Sequence, residues 1–364
     1  MKPLLKRLDK YLIGQYLQTF AFTVLIFSIL ACVVHYSEQV QRLVDNEVTF
    51  SEGLGYFGWY VPYINSLLFP LYALVSVIFF TSRLAGNSEI LSMLNAGMSL
   101  TRIARPYVIA ACVIAGVSLA LNHVIVPYGN QHRLGFERTR LKREKDLGRN
   151  SEVHMFITPE TKVYVRHYSK GDSVARDLRL ETYDGPRLTA MLSARRAEWR
   201  GQDSTWRLYE RSYRRFGARE ESFREERAGQ LDTALALAPS DFVQYKYEKD
   251  LLTTPGLTNY INKVRARGIG SATGFEIERQ KRSSEPASIL ILTLIGLAIA
   301  GRKVRGGMGI NLVAGVVIGL VFVFMSRFSH TLANSAAIPT WVGVWTPNFL
   351  FAGVAAWLLS RAQR

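Results

Sequence analysis

The chain has 364 residues, 48% of them hydrophobic, and a formal net charge of +16. Its mean hydropathy of +0.06 would suit an ordinary soluble protein, but the apolar residues crowd into the two ends and the middle is rich in Arg, Glu and Tyr. That division excludes a uniform soluble domain, and basic residues placed beside apolar runs or in strand-like segments exclude a nucleic-acid reader built on a basic helix.

Lys2, Lys6, Arg7 and Lys10 precede a first apolar span, Tyr16–Tyr36, and the positive-inside bias sets this end in the cytoplasm. No small-residue cleavage site follows, so the run reads as a retained span. The mainly acidic segment 37–53 suits the outside. A second span, Trp59–Phe80, carries Pro62 and Pro70, which a span tolerates where neighbouring helices satisfy the freed carbonyls. Next comes Arg83–Arg105, too polar to span and too apolar for a plain loop. Leu84, Ile90, Leu91, Met93, Leu94 and Met98 recur at roughly helical spacing, and Gly97 followed by Ser99 reads as a stop and a fresh start. Two short amphipathic helices on the cytoplasmic face are expected there. The third span is Pro106–Val126. Each run is about 20 residues, enough for a hydrocarbon core of about 30 Å.

The character changes at Pro127. Gly129–Arg149 is charged and helix-like, a continuation of the third span beyond the membrane. Short alternating segments follow: KVYVRHY, DLRLETYDG, TAMLSARRAEW and STWRLYERSYRRF. Period-two alternation between turn residues predicts an antiparallel sandwich or barrel. After three spans this domain lies outside, and its arginines are no obstacle because long domains cross regardless of charge. Leu251–Lys281 leads back to the membrane as a loop and helix. The fourth span is Ser283–Ala300, Gly301–Gly307 a basic inside turn, and the fifth span Met308–Phe328. SHTLANSAAIPT, without Lys or Arg, lies outside. The sixth span is Trp341–Leu359, and Arg361 and Arg364 end the chain inside. The expected fold is thus an α-helical membrane protein of six transmembrane helices with an inserted periplasmic β domain. Residues 1–128 hold three spans and the amphipathic stretch at 83–105, 129–254 the β domain, and 255–364 a linker and three spans.

Catalytic motifs are missing. The nearest match to a P-loop, Gly301–Met308, has Gly307-Met308 where the phosphate lysine and the magnesium hydroxyl must sit. There is no nucleophile elbow, H-E-x-x-H or Cys/His cluster; Cys32 and Cys112 fall inside spans, and His123 and His132 read as packing or surface residues. The chain therefore reads as a non-enzyme without a cofactor, and any uphill transport draws its energy from another protein.

Several short segments, in order and spacing, carry a family resemblance. They are Leu8-Asp9-Lys10-Tyr11-Leu12-Ile13-Gly14, Leu84-Ala85, Ser88-Glu89-Ile90 through Met93, Ala96 and Gly97, Val126-Pro127, Gly256-Leu257 through Asn259-Tyr260-Ile261, and Arg305–Asn311. On them the chain resembles the LptF/LptG (YjgP/YjgQ) permeases of the lipopolysaccharide exporter, nearer the LptG side, over nearly its whole length. The resemblance implies three spans, a periplasmic jelly-roll and three more spans in an inner-membrane protein. It also implies an LptF-type second permease, an LptB-type ATPase dimer that uses the ATP, an LptC-type single-span protein, and an LptA-type periplasmic bridge that receives the lipopolysaccharide.

The family's coupling helix maps onto Asn87, Ser88, Glu89, Met93 and Gly97, with Glu89 at its acidic position. From the residues alone, Glu89 reads first as a solvated surface carboxylate, and it is the resemblance that favours the coupling role. The family's lipid A phosphates meet basic residues near the outer ends of spans, which here implies His35, Arg42 and Arg327, with Arg133 and Arg138 just above the membrane. Relatives often carry Lys where this chain has His35, and a histidine near its reference pKa of about 6.5 is only fractionally charged at neutral pH. Arg327 also reads as a cation snorkelling to the interface. Two other classes stay open: a permease of this architecture for another lipid or a lipoprotein, and a membrane-embedded lipid-modifying enzyme.

Overall fold

The structure, a computed structural model, describes residues 6–141, 151–201, 203, 205–217, 220–226, 229–235, 237–239, 248–266, 272–301, 307–335 and 337–362. The chain divides into two compact units, Met1–Arg143 with Asp250–Thr254 and Thr273–Arg364, and Glu144–Lys249 with Pro255–Ala272. Among the described residues six helices are long and apolar enough to cross a membrane. Three precede an antiparallel sheet and three follow it.

In the first unit, α1 covers Arg7–Asp45, α2 Phe50–Gly86 and the short α3 Glu89–Asn95. α4 (Leu100–Ala120) runs through a π-helical turn, Leu121–Ile125, into α5 (Val126–Phe136) and a second wide turn, Glu137–Leu141. The helix expected over Gly129–Arg149 is present to Leu141, and the rest of that range lies outside the described residues. Caps set the starts. The Thr49 N–H donates to Glu52 Oε2 (3.0 Å) ahead of α2, and Ser99 Oγ accepts the Arg102 N–H (3.3 Å) ahead of α4. Only α3 stands alone between spans two and three. The second short helix expected there is the start of α4, because Ser99 caps it and Pro106 lies inside the helix without ending it.

The return to this unit is made by the single-turn α6 (Glu248–Leu251), and the second unit keeps α7 (Thr254–Ala266) with Leu257 and Ile261 fully buried. The last three spans are α8 (Thr273–Ala300), α9 (Gly307–Asn334) and α10 (Thr340–Ala362). Residues 302–306 of the expected basic turn lie outside the described residues.

α2 is the hub, packing against α1, α4, α8 and α9. Its Phe69, Leu74, Val77 and Ile78 are buried with Tyr16 of α1, Tyr107 of α4 and Leu292 of α8. Glycines make the approach close. A Cβ on Gly296 of α8 would run into Val77 and Ile78, and one on Gly315 of α9 into Ile78. One on Gly319 would come within 2.7 Å of Leu71 Cδ2. Hydroxyls and amides tie the same helices together. Tyr16 Oη pairs with Thr293 Oγ1 (2.8 Å), Ser76 Oγ donates to Thr23 Oγ1 (2.9 Å), and Asn311 Nδ2 donates to Ser82 Oγ (3.0 Å).

In the second unit, β1 (Ser151–Thr158), β2 (Thr161–Ser169), β3 (Val174–Asp184), β4 (Arg187–Arg200), β5 (Thr205–Phe216) and β6 (Glu221–Glu226) follow one another in an antiparallel meander. β7 (Leu231–Thr233) pairs with the first half of β5 while β6 takes the second half. Alternate residues supply the core, among them Val163, Val165, Leu178, Ala197, Trp206 and Leu208. Gly185 supplies the positive φ of +57° in the β3–β4 turn. β2 to β5 are the four segments expected from alternation. β1, β6 and β7 were not: β6 reads ESFREE and is largely exposed, so it lacks a buried face to mark it.

The Arg207 guanidinium grips Asp232 with two bonds of 2.6 Å and holds its carboxyl below the usual carboxylate range. A lowered native pKa gives stability above the unfolded pKa that is lost as pH falls through the native one. The β signal of the full-length protein in detergent should therefore melt at a constant temperature from pH 7 to about 5 and earlier below about pH 4. Asp232→Asn should remove part of that fall; an identical acid profile in the variant refutes the link.

Gly296→Leu should lower the melting temperature of the detergent-solubilised protein, since overpacking costs about 1–3 kcal/mol. Gly14→Ala, with no atom within 4 Å of the new Cβ, should leave it unchanged or raise it. Equal behaviour of the two variants contradicts the close approach to α2.

Candidate functional sites: a short helix between spans and a basic rim

The turn into α3 is built by backbone geometry. α2 stops at Gly86, and Ser88 adopts a left-handed φ of +61°, so α3 starts in a new direction. Gly97, at φ +82°, ends it: its N–H donates to the Leu94 carbonyl (2.9 Å) and the Met98 N–H to that of Met93 (3.2 Å). This is a Schellman stop, and a side chain at position 97 would pay the left-handed penalty of about 1–2 kcal/mol. Ile90 and Met93 are buried in the helical core, whereas Leu91 is 53% and Leu94 40% exposed. The two-turn helix thus presents apolar side chains on two sides, one already packed and one open.

The start of α1 is fastened around α3. Arg102 donates to both Asp9 oxygens (2.7 and 2.8 Å), Tyr11 Oη to Glu89 Oε2 (3.3 Å), and Arg83 to Gln15 Oε1 (2.8 Å). Asn87 Nδ2 also reaches Glu89, at 3.4 Å. Asp9 is buried, so its charge depends on the bidentate arginine. Sequence reasoning singled out Glu89 but not Asp9 and Arg102, because their 93-residue separation hides the pairing.

The basic residues expected at the rim do not form one group. His35 stacks on Tyr60 (4.2 Å between ring centres), and its Nε2 pairs with Tyr56 Oη at 2.7 Å. Tyr56 donates to Glu137 Oε1 (3.0 Å), which also accepts from Arg133 Nη1 (2.6 Å). Arg133 is buried, lies 4.0 Å over the Tyr63 ring, and donates to Asn130 as well. One network therefore joins His35 and Arg133, and it uses the donors of Arg133 internally. Arg42 is exposed and its guanidinium donates to Gln39 of its own helix (3.2 Å), and Arg138 is half-buried in the second wide turn.

Arg327 stands apart. It lines a cavity of about 240 Å³ among α2, α8, α9 and α10, to which neither His35 nor Arg42 contributes. Lys281 and Glu285, which line the same cavity, interact with its guanidinium electrostatically. Beside it, Lys281 lies 3.5 Å from Glu285 and 4.0 Å from Glu278, and Arg282 is 3.4 Å from Glu278. Sequence reasoning read residues up to Lys281 as a loop and helix and did not pair their charges. The available signal was the four-residue spacing of opposite charges in ERQKRSSE, which marks a helix. Among the described residues no group of His, Cys, Asp and Glu is placed to hold a metal.

A family model described as "Lipopolysaccharide export system permease LptF/LptG" matches residues 10–361 of this chain. The chain is also similar to the "Lipopolysaccharide export system permease protein LptG" of Haemophilus influenzae (strain ATCC 51907 / DSM 11121 / KW20 / Rd). They are 21% identical over 367 residues, which cover 99% of this chain and 100% of that protein.

Arg133→Ala should leave Glu137 half-buried without its cation and lower stability in detergent by about 3–5 kcal/mol. Adding Glu137→Gln should restore most of the loss. A double variant no more stable than Arg133→Ala would show that the pair is not what the network rests on.

Proposed function

The chain belongs to the lipopolysaccharide export system permease LptF/LptG family, and on that premise we propose that it is the LptG-type permease of a lipopolysaccharide exporter. It extracts the lipid from the inner membrane and passes it toward an LptA-type periplasmic bridge. An LptB-type ATPase dimer supplies the energy, an LptF-type permease pairs with it, and an LptC-type protein joins the complex. The permease itself needs no cofactor.

The observation that carries this reading is α3. It sits between spans two and three, rooted in the core by Ile90 and Met93, with Leu91 and Leu94 open to a partner and Glu89 at its base. Asp9 and Tyr11 place the start of α1 beside it, and the basic N-terminal segment sets that side in the cytoplasm. Six spans bring the C-terminus back to the same side, and the sheet inserted after the third falls in the periplasm. A push on α3 by the ATPase then reaches α1 through the Glu89–Tyr11 and Asp9–Arg102 contacts. α1 is the span least buried within its own chain, free to form a cavity wall with the second permease. Arg42 on α1, Arg138 in the turn after α5 and, apart from them, Arg327 on α9 are the cations assigned to lipid phosphates. Arg133 and His35 act through their network to position the wall.

Glu89→Lys should prevent the ATPase from co-purifying with the permease pair and should abolish export, while the chain still inserts and its β domain still folds. Export and pull-down at wild-type level in that variant would refute the coupling role.

A further inference from the structure

The sheet of the second unit is interrupted along one line. The four pairings from β1 to β5 all skip the same transverse row, in which Glu152, Arg166, Asp177, Arg195 and Glu210 stand side by side on successive strands. Glu152, Asp177 and Glu210, on the odd-numbered strands, have left-handed φ values of 52°, 52° and 49°. None of them is glycine, so each is a strained backbone position. β5 changes partner at the same level, from β7 along Trp206–Leu208 to β6 along Arg211–Phe216. Residues three apart on a regular strand point to opposite faces. Here Val165 with Tyr168, Ala175 with Leu178, and Ala194 with Ala197 are all buried in one core, although the row lies between the members of each pair. Each of these strands therefore turns over locally at the row.

The row divides the sheet into two leaves. The larger holds 153–158, 161–165, 178–184, 187–194, 211–216 and 221–226, and the smaller 167–169, 174–176, 196–200, 205–209 and 231–233. Ties within each leaf are firm. In the smaller, Tyr209 Oη donates to Glu198 Oε2 (3.0 Å) and Arg207 grips Asp232; in the larger, Arg211 pairs with Glu226 and Arg214 with Glu221 (2.9 Å). Along the row, Arg166 meets Asp177 at 3.4 Å and Arg195 meets Glu210 at 3.0 Å, with all four side chains exposed. Exposed pairs of this kind add little stability. On the outer face a cavity of about 720 Å³ abuts Asp177, Arg195 and Glu210, with Ser193 and Ser212 among its lining, which leaves the row room to bend. On the inner face, cover thins away from the row: Leu192 is only partly buried, and Tyr213 across from it is 42% exposed. A sheet bends most readily where its ladder is broken on every strand, and a hinge is a few residues that absorb the backbone change. We propose that this row is a hinge, along which the two leaves change their angle and so widen or narrow the mouth beside Leu192 and Tyr213. That mouth is largely apolar, so a wider angle admits an acyl chain. This consequence deepens the export reading and rests on it; the hinge itself does not.

The test uses the full chain with its second permease and ATPase, with Cys32 and Cys112 replaced by Ser. Spin labels go on the exposed positions Arg200→Cys of the smaller leaf and Ser222→Cys of the larger. A control pair, Glu160→Cys with Ser222→Cys, lies on the side of the larger leaf alone. Pulsed electron resonance reads both distances. The cross-leaf distribution should be roughly twofold broader than the control, as expected of collective hinge motion. Asp177→Gly with Glu210→Gly, which frees the backbone of the row, should broaden it further and leave the control unchanged. A cross-leaf distribution as narrow as the control overturns the hinge. An unchanged width in the glycine variant places the motion elsewhere and overturns it too. Export is then read on the same two cysteine pairs, joined by a reducible bis-maleimide in place of the labels. The cross-leaf link should stop ATP-driven release of lipopolysaccharide, and reduction should restore it; the control link should leave release intact. Normal release from the cross-leaf linked protein overturns the part given to the hinge in admitting the acyl chain. Failure of the unlinked protein to release any lipid sinks the export reading instead, and the distance measurements still judge the hinge.

Discussion

Helices in lipid gain little by hiding apolar side chains against one another, because the acyl chains around them are as apolar as leucine. What holds this bundle is close approach, and close approach depends on what α2 meets. Gly296, Gly315 and Gly319 bring α8 and α9 onto Leu71, Leu74, Val77 and Ile78 at distances that a single added carbon would forbid. The hydroxyl and amide pairs between spans, such as Tyr16 with Thr293 and Asn311 with Ser82, add direction to that contact. Because α2 also packs against α1 and α4, its position orders the rest of the helical unit.

α1 is the exception, the least buried of the spans. It shares only a few buried residues with the core, Leu12, Tyr16 and Phe20 among them, and exposes Phe22, Ile29, Val33 and others along one face. Its start is held by charge instead: a buried carboxylate, Asp9, on a bidentate arginine from the helix beyond α3. An ion pair of this kind has one good geometry, so it keeps α1 in register with α4 where apolar packing would let it slide.

The architecture was legible in the sequence because its signals are of two unmistakable periods. Apolar runs long enough to span and alternating segments such as TWRLYERSYRRF each point to one element type. Helix lengths were not legible, since Glu52, Arg140 and the ERQKRSSE segment extend the helices beyond hydrocarbon, where hydropathy falls silent. At the sites, Glu89 and Arg327 could be singled out by the family resemblance together with their positions. Their partners could not, because Asp9 with Arg102, and Tyr56 with Glu137, meet only after the chain has crossed the membrane more than once.

The fate of the five expected basic residues shows why type and depth do not settle role. Arg133 and Arg327 are chemically identical, yet one is surrounded by Asn130, Glu137 and the Tyr63 ring and the other lines a mixed cavity with Lys281, Glu285 and Leu71. An arginine with its donors satisfied internally stiffens the helix it sits on and has little left for a ligand. His35, locked between Tyr60 and Tyr56, is spent in the same way. A phosphate arriving from the membrane gains most where the charge is present and the donors are not yet used.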